Sequence, residues 1–364
     1  MADVVRVGII GAGSIARDRH IPLLQKVRDV SVTQLWSRTM DNANKTASDF
    51  GVPTVVENWE EIVDSPDVDA VVIATPPILH LPATLAALES GKHVLCQARM
   101  ARNLSEALKM LEASKNTHLV TALYPAGFGL KGDRVMRRLI GDGFIGDIVD
   151  VRVTSVGPSP GGGGFMDDPS VVGINAMMLG ILGEVCNRWM APPVSVAAVT
   201  GEPLNVVPQS LAISAELPGG ITASFHLSFR VTNSLGNTVE IFGTRGSLKY
   251  DMLVERPDGT IGGEEVWGMT ESETEMYPIE IPAHEERDRT TDSEFIESIR
   301  SGVPVYPDFE EGVRYMQFSE AVAQSILESR TIKMPPEPKM DCWGNLLCYS
   351  VLTGCTYWYS HLIS

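Results

Sequence analysis

Basic side chains are scarce in this chain. It carries 29 lysines and arginines against 46 aspartates and glutamates, a formal charge of −17 over 364 residues. Such a balance repels phosphate backbones and excludes nucleic acid as an expected partner, while a local basic groove can still hold a small anion. Cysteines are few and scattered. Cys96, Cys186, Cys342, Cys348 and Cys355 show no paired ligand spacing, so neither a disulfide framework nor a metal site is expected. No uninterrupted apolar run is long enough to span a bilayer, so no membrane partner is expected. The opening MADVVRVGIIGAG has no charged region ahead of an apolar core and no cleavage site, which points to a cytoplasmic location and reduced thiols.

What is present is an ordinary globular composition, with 44% hydrophobic residues, in a chain long enough for two domains. The first third alternates strand and helix. VVRVGII, SVTQLWSR, AVVIATPP and HVLC read as strands, the buried ones rich in β-branched residues. Ile15 to Val27, Asp41 to Phe50, Leu81 to Ser90 and Asn103 to Ser114 read as helices, with Gly51 and Gly91 as stop signals and Asn103 as a cap. The alternation implies a doubly wound parallel sheet over residues 1–123. From Tyr124 the pattern changes. DIVDVRVTSV, VSVAAVTG, SLAISAEL, ITASFHLSF and NTVEIFGT read as successive strands separated by turns, with late helices at Ser293 to Arg300 and Glu310 to Ser329. An α+β domain with a large, mostly antiparallel sheet is therefore expected over 124–338. Residues 339–364, after the Pro-rich MPPEP, form an aromatic and cysteine-rich tail of different character.

The stretch Gly8-Ile-Ile-Gly11-Ala-Gly13-Ser-Ile-Ala16 ends the first strand and opens the first helix. Gly11 permits the tight turn, Gly13 lets a pyrophosphate approach, and Ala16 allows close helix packing. The amides at Gly13, Ser14 and Ile15 and the positive helix end suit the phosphates of a dinucleotide. At the end of the second strand, where an NAD site tends to place an acid, the chain has Ser37-Arg38 with Lys45 downstream. A hydroxyl and a guanidinium suit a 2′-phosphate, so the residues favour NADP and leave NAD open. Thr75 and Pro76 lie at the carboxyl edge of the sheet, where the nicotinamide half belongs, with His80 in the next turn and Gln97 at the end of another strand.

These residues carry a resemblance. VGIIGAGSIA, VDAVVIATPPILH, ALESGKHVLC, LIGDGFIGDIVDV, IFGTRGSLKY and the closing helix to about Lys333 make the chain similar to the glucose–fructose oxidoreductase / inositol dehydrogenase (Gfo/Idh/MocA) family along nearly its whole length except the tail. The resemblance implies a Rossmann domain, a C-terminal domain whose open sheet assembles a homo-oligomer (dimer or tetramer), and NAD(P)-dependent oxidation or reduction of sugars, cyclitols or related polyols. It also exposes two departures. Where the family has Glu-Lys-Pro, this chain has Gln97-Ala98-Arg99. Where the family has Asp-x-x-x-His followed by a further acid, this chain has Val171, Asn175 and Met178, and none of its seven histidines falls there. Ala98 can neither position nor titrate, and a lost general base is worth about a hundred- to ten-thousand-fold in rate.

Replacements within the chain are Arg99, which can clamp an anion but stays protonated; Tyr124, at the entrance to the second domain; Asn175, which can hydrogen-bond a hydroxyl; and the loop pair Asp167-Asp168, of which Asp168 is the candidate acid–base group. Thr222, Ser224, His226, Ser228 and Arg230 share one strand face and read as solvent or subunit surface, His284 reads as a surface residue, and Lys131 could reach the cleft from the first helix of the second domain, though nothing in the sequence fixes it there. Three functions follow: an oxidoreductase with a non-standard proton-transfer set, a relative that uses a tightly held nucleotide for elimination or epimerisation without net redox, and a non-catalytic sensor.

Overall fold

The computed structural model describes residues 4–124, 130–158, 164–173, 178–203, 206–233, 236–255, 261–287 and 291–334. Asn175 and the 339–364 tail lie outside the described residues.

β1 (Val5–Ile10), β2 (Val30–Trp36), β3 (Thr54–Val55), β4 (Ala70–Ile73), β5 (His93–Gln97) and β6 (Thr121–Tyr124) form a six-stranded sheet in the order β3-β2-β1-β4-β5-β6. Every pairing in it is parallel. Ile9, Ile10, Val71, Val72, Val94 and Leu95 are fully buried, as strands covered on both faces require. The strand order reverses between β1 and β4, and such a switch point is where open α/β sheets bind ligands.

The helices of this half follow their local signals. Gly51 ends Met40–Phe50 in the left-handed conformation, φ 67°, and Asn103 Oδ1 accepts the Glu106 N–H at 3.0 Å to open Leu104–Lys115. The first helix departs from the regular run expected over Ile15 to Val27. Ala16–His20 is a wide turn in which the Ile21 N–H donates to the Ala16 carbonyl, followed only by Ile21–Leu24. Pro22 explains this: it lacks an N–H for the Asp18 carbonyl and its ring crowds that group.

The second sheet holds β7 (Ile148–Val156), β8 (Ser195–Val199), β9 (Ser210–Leu217), β10 (Ile221–Ser228), β11 (Gly236–Gly243), β12 (Gly246–Glu255), β13 (Ile261–Gly262), β14 (Glu265–Thr270), β15 (Tyr277–Ile279) and β16 (Ile332–Lys333). Its order is β15-β14-β12-β11-β7-β10-β9-β8-β16, with β13 on β12. It is antiparallel except where β10 runs parallel to β7. Burial alternates along β9: one face packs Val153, Phe225 and Val239 against Val135, Leu182 and Phe318 of the covering helices. The opposite face of β10 exposes Thr222 and His226.

The last helices among the described residues tie both sheets together. Phe295 and Ile296, from Thr291–Ser301, enter the core around Val7, Ile9 and Leu35. In Phe309–Glu328, Phe309 and Met316 pack with Ile73, Cys96 and Met100, while Phe318 and Val322 belong to the second core. An ionic cluster sits among these helices. Buried Arg188 pairs with Glu184 and with Asp133 at 3.7 Å, Asn187 Nδ2 donates to Glu311 Oε1 at 2.9 Å, and Arg314 donates to Glu311 Oε2 at 3.1 Å. Desolvation raises the Glu311 pKa to about 7, despite the Asn187 bond and the Arg314 cation.

Candidate functional site

The turn after β1 is the best-defined part of the site. Gly11 has φ +113°, and its N–H donates to the Trp36 carbonyl at 2.9 Å. A Cβ there would lie 2.4 Å from the Ala74 carbonyl oxygen, so only glycine fits. Gly13 is the converse: a Cβ there would meet nothing within 4 Å. Gly13, Ser14 and Ile15 are exposed at the helix start, where backbone amides lack intrahelical acceptors.

The end of β2 is bound into the same turn. Asn42 Nδ2 donates to the Ala12 carbonyl at 2.9 Å and to Ser37 Oγ at 3.0 Å, and Arg17 Nη1 donates to Asn42 Oδ1 at 3.4 Å. Ser37 is buried, while Arg38 and Lys45 are exposed. Arg38 has no hydrogen bond or ion pair among the described residues and remains available to an anion. Arg17 and Asn42 were not singled out from sequence; Asn42 carries a weak signal, because it stands one helical turn from the Ser37-Arg38 strand end.

At the other side of the switch point, Thr75 Oγ1 is buried with no hydrogen-bond partner among the described residues. An open cradle before Gly13, an exposed guanidinium beside β2 and an unpaired hydroxyl beyond β4 fit a dinucleotide lying across the carboxyl edge of the sheet. Pro76 is half-buried between Thr75 and the helix start. His80 does not join this set. It is 1% exposed, its Nδ1 faces the Arg99 and Met100 carbonyls at 2.9 and 3.2 Å, and its Nε2 faces the Thr75 carbonyl at 2.7 Å. With both ring nitrogens occupied by main chain, His80 braces the two loops and keeps no atom for a ligand. Burial lowers its pKa against the pull of those carbonyls.

The strand ends of β5 and β6 place Gln97 opposite Tyr124 in register, and the Ala98 N–H donates to the Tyr124 carbonyl at 3.2 Å. The Ala98–Arg99 peptide bond is cis. Arg99 is buried near Tyr315, whose hydroxyl accepts the Met100 N–H at 2.5 Å. Desolvation brings the Arg99 pKa down to about 10, which still leaves a cation at neutral pH and no general base. Behind Gln97 lies a feature that composition could not suggest. His20 is fully buried, with Nδ1 2.6 Å from Asp292 Oδ1, Nε2 2.5 Å from Gln97 Nε2, and its ring edge-on to Tyr124 at 4.6 Å between centroids. His20 had a faint sequence signal, four residues after the buried Ala16. Asp292 had none.

The segment 164–173 packs against the loop that follows β5. Gly173 has φ +74°, and a Cβ on it would lie 2.0 Å from the Arg102 carbonyl oxygen; Arg102 Nη1 donates to the Ser170 carbonyl at 3.2 Å. Asp168, a candidate acid–base group by sequence, caps Pro169–Val172: its Oδ1 accepts the Ser170 N–H at 2.9 Å and the Ser170 hydroxyl at 2.6 Å. These bonds hold its pKa below the usual carboxylate range, so near neutral pH it is an ionised cap. Asp167 accepts from Gln209 at 3.1 Å, and the Lys131 ammonium pairs with Glu286 at 2.5 Å. Among the described residues no group of three or more His, Cys, Asp or Glu is arranged to hold a metal ion, and no helix is long and apolar enough to cross a membrane.

Comparison with known proteins agrees with this architecture. The family described as "Oxidoreductase family, NAD-binding Rossmann fold" matches residues 5–124, and the "GFO/IDH/MocA C-terminal domain" matches residues 134–249. A 1,5-anhydro-D-fructose reductase of Ensifer adhaerens is 29% identical over 270 residues, covering 70% of this chain and 79% of that protein. Levoglucosan dehydrogenase in complex with NADH superposes with a TM-score of 0.78 at 21% identity, over 91% of this chain and 99% of its own. KijD10, a 3-ketoreductase from Actinomadura kijaniata in complex with NADP and TDP-benzene, superposes with a TM-score of 0.74 at 22% identity, over 89% and 98%.

Proposed function

Because the chain belongs to the Gfo/Idh/MocA oxidoreductase family, with its NAD-binding Rossmann fold, we propose that it oxidises or reduces a CH–OH carbon of a sugar, cyclitol or related polyol and prefers NADP to NAD. The observation that carries this reading is the turn in which Gly11 is forced against Ala74 while Gly13 faces open space. When bound, the nicotinamide supplies the hydride donor or acceptor. The protein's share is binding and orientation. The Gly13–Ile15 amides hold the pyrophosphate, Arg38 pairs with the 2′-phosphate, and Thr75 and Gln97 stand at the nicotinamide end.

Proton transfer departs from the family pattern. Ala98 has no titratable group, and Asn175 offers only an amide. Tyr124 is the side chain at the β5–β6 edge able to give and take a proton, with water as its relay. Arg99 contributes a fixed positive charge that favours a developing alkoxide. A homo-oligomer assembled through the outward face of the large sheet completes the reading. The departure at Ala98 also favours a second one, a nucleotide-assisted elimination or epimerisation without net redox.

Nicotinamide fluorescence on mixing with NADPH and then NADH tests the first step, and a polyol and ketose panel followed at the nicotinamide absorbance band tests the second. Failure to bind either nucleotide at millimolar concentration defeats the proposal. If polyol oxidation appears only in the Ala98→Lys/Asn175→His variant, the native chain carries out the second reaction instead.

A further inference from the structure

The cluster behind Gln97 has no part in the scheme above. His20 touches no solvent, so it is not itself a ligand contact. Its two nitrogens are divided between Asp292 at 2.6 Å and the Gln97 carboxamide at 2.5 Å. Asp292 lies in the first turn of Thr291–Ser301. Among the described residues its Oδ2 has no hydrogen-bond partner, and the contact that orients that carboxylate there is the one to His20. A carboxylate accepts, so the ring proton belongs on Nδ1. Nε2 then presents a lone pair, and the Gln97 group facing it must be the N–H side of the amide. This fixes an amide that could otherwise turn over, and it leaves Oε1 on the other side. No donor among the described residues reaches that oxygen. Gln97 is 8% exposed, unlike the fully buried His20, and stands at the carboxyl end of β5 between Thr75 beyond β4 and Tyr124 at the end of β6.

We propose that His20, held by Asp292, is a positioning residue that locks the Gln97 carboxamide with Oε1 toward the cleft, as the acceptor for the amino group of the nicotinamide carboxamide. The inference rests on the nucleotide-site reading above. It goes beyond that reading by giving Gln97 a single hydrogen-bonding sense, set by a residue on the helix that follows the phosphate turn. One helix thus receives the phosphates at its start and orients the reacting ring through its buried end. A ring held by a fixed acceptor presents one face to the substrate, which is the task a hydride-transfer site must perform.

The test compares three nucleotides by calorimetry: the oxidised nicotinamide dinucleotide, its 3-acetylpyridine analogue, in which a methyl replaces the carboxamide amino group, and ADP-ribose, which lacks the ring. The wild-type chain is expected to bind the nicotinamide form roughly tenfold more tightly than the acetylpyridine form, since the latter leaves the Gln97 acceptor unpaired. Gln97→Met, and His20→Phe combined with Asp292→Asn so that no buried carboxylate is stranded, are expected to erase that preference and leave ADP-ribose affinity unchanged. Nitrogen NMR of histidine-labelled wild-type protein is expected to show His20 Nδ1 protonated and Nε2 unprotonated at pH 7.5, a readout that needs no variant to fold. Equal wild-type affinity for the nicotinamide and acetylpyridine forms, a preference that survives either variant, or a His20 protonated on both nitrogens would overturn the proposal while leaving the nucleotide site intact. Absence of binding by all three nucleotides would instead remove the functional reading on which it rests.

Discussion

Arg38 and Glu311 are single residues whose charges matter in opposite ways. Arg38 is exposed at the end of β2 beside the anchored Ser37, so its guanidinium pays no desolvation until a phosphate arrives. Charge-assisted hydrogen bonds are worth about 1.5–3 kcal/mol. Arg38→Asp is therefore expected to weaken NADPH binding by at least about tenfold and to spare NADH, as read by fluorescence titration. Glu311 is buried against Asn187 and Arg314, with a pKa of about 7 in the folded chain. Its unfolded value is lower, so between the two the folded state holds the extra proton. Stability from this group is greatest at low pH, falls as pH rises through about 7, and by pH 8 is reduced by on the order of 3 kcal/mol. Glu311→Gln should thus raise the melting temperature at pH 8 and have much less effect at pH 5. A gain independent of pH would refute the argument.

At the scale of elements, much could be read from short-range chemistry. Asn103 before Leu104 announces a cap, and the cap is there; Asn103→Ala should lower stability by about 1 kcal/mol in denaturant unfolding. The buried strands of the first half were visible in runs such as AVVI, because a strand covered on both faces needs no polar alternation. Leu179–Trp189 was not recognised as a helix. Nor was the parallel pairing of β10 with β7 foreseen, since pairing partners distant in sequence leave no local trace. The nucleotide half of the site was readable because glycine spacing and helix starts are local. The His20–Asp292 contact was not, because its partners stand 272 residues apart. Gly173 belongs between these cases. It followed a Gly-rich loop by sequence, yet only the structure reveals the Arg102 carbonyl against it. Gly173→Ala combines backbone strain with a clash against the Arg102 carbonyl, so a loss of about 2 kcal/mol in thermal unfolding is expected.

For the whole molecule, the large sheet covers one face with helices and leaves β10 presenting Thr222 and His226 on the other. If copies of the chain meet there, light scattering will report a dimer or tetramer. Ser224→Arg on the same face should then lower the mass toward a single chain without disturbing the buried Ala223 and Phe225. A mass unchanged by that substitution would place any interface elsewhere. A strand face of this kind is polar enough to be solvated alone, which is why composition pointed to it only as one of two alternatives.

Phe295, Ile296 and Val305 complete a core whose other buried members are supplied by residues 5–124, and Asp292 reaches the buried His20. The order of synthesis therefore matters. Nascent chains ordinarily let an N-terminal domain fold as it clears the ribosome. Here the six-stranded sheet emerges with an uncovered apolar seat and a histidine lacking its carboxylate, and both stay so until nearly three hundred residues have been translated. An excised fragment ending at Tyr124 would inherit the same vacancy permanently, so the nucleotide half of this protein is not a portable module.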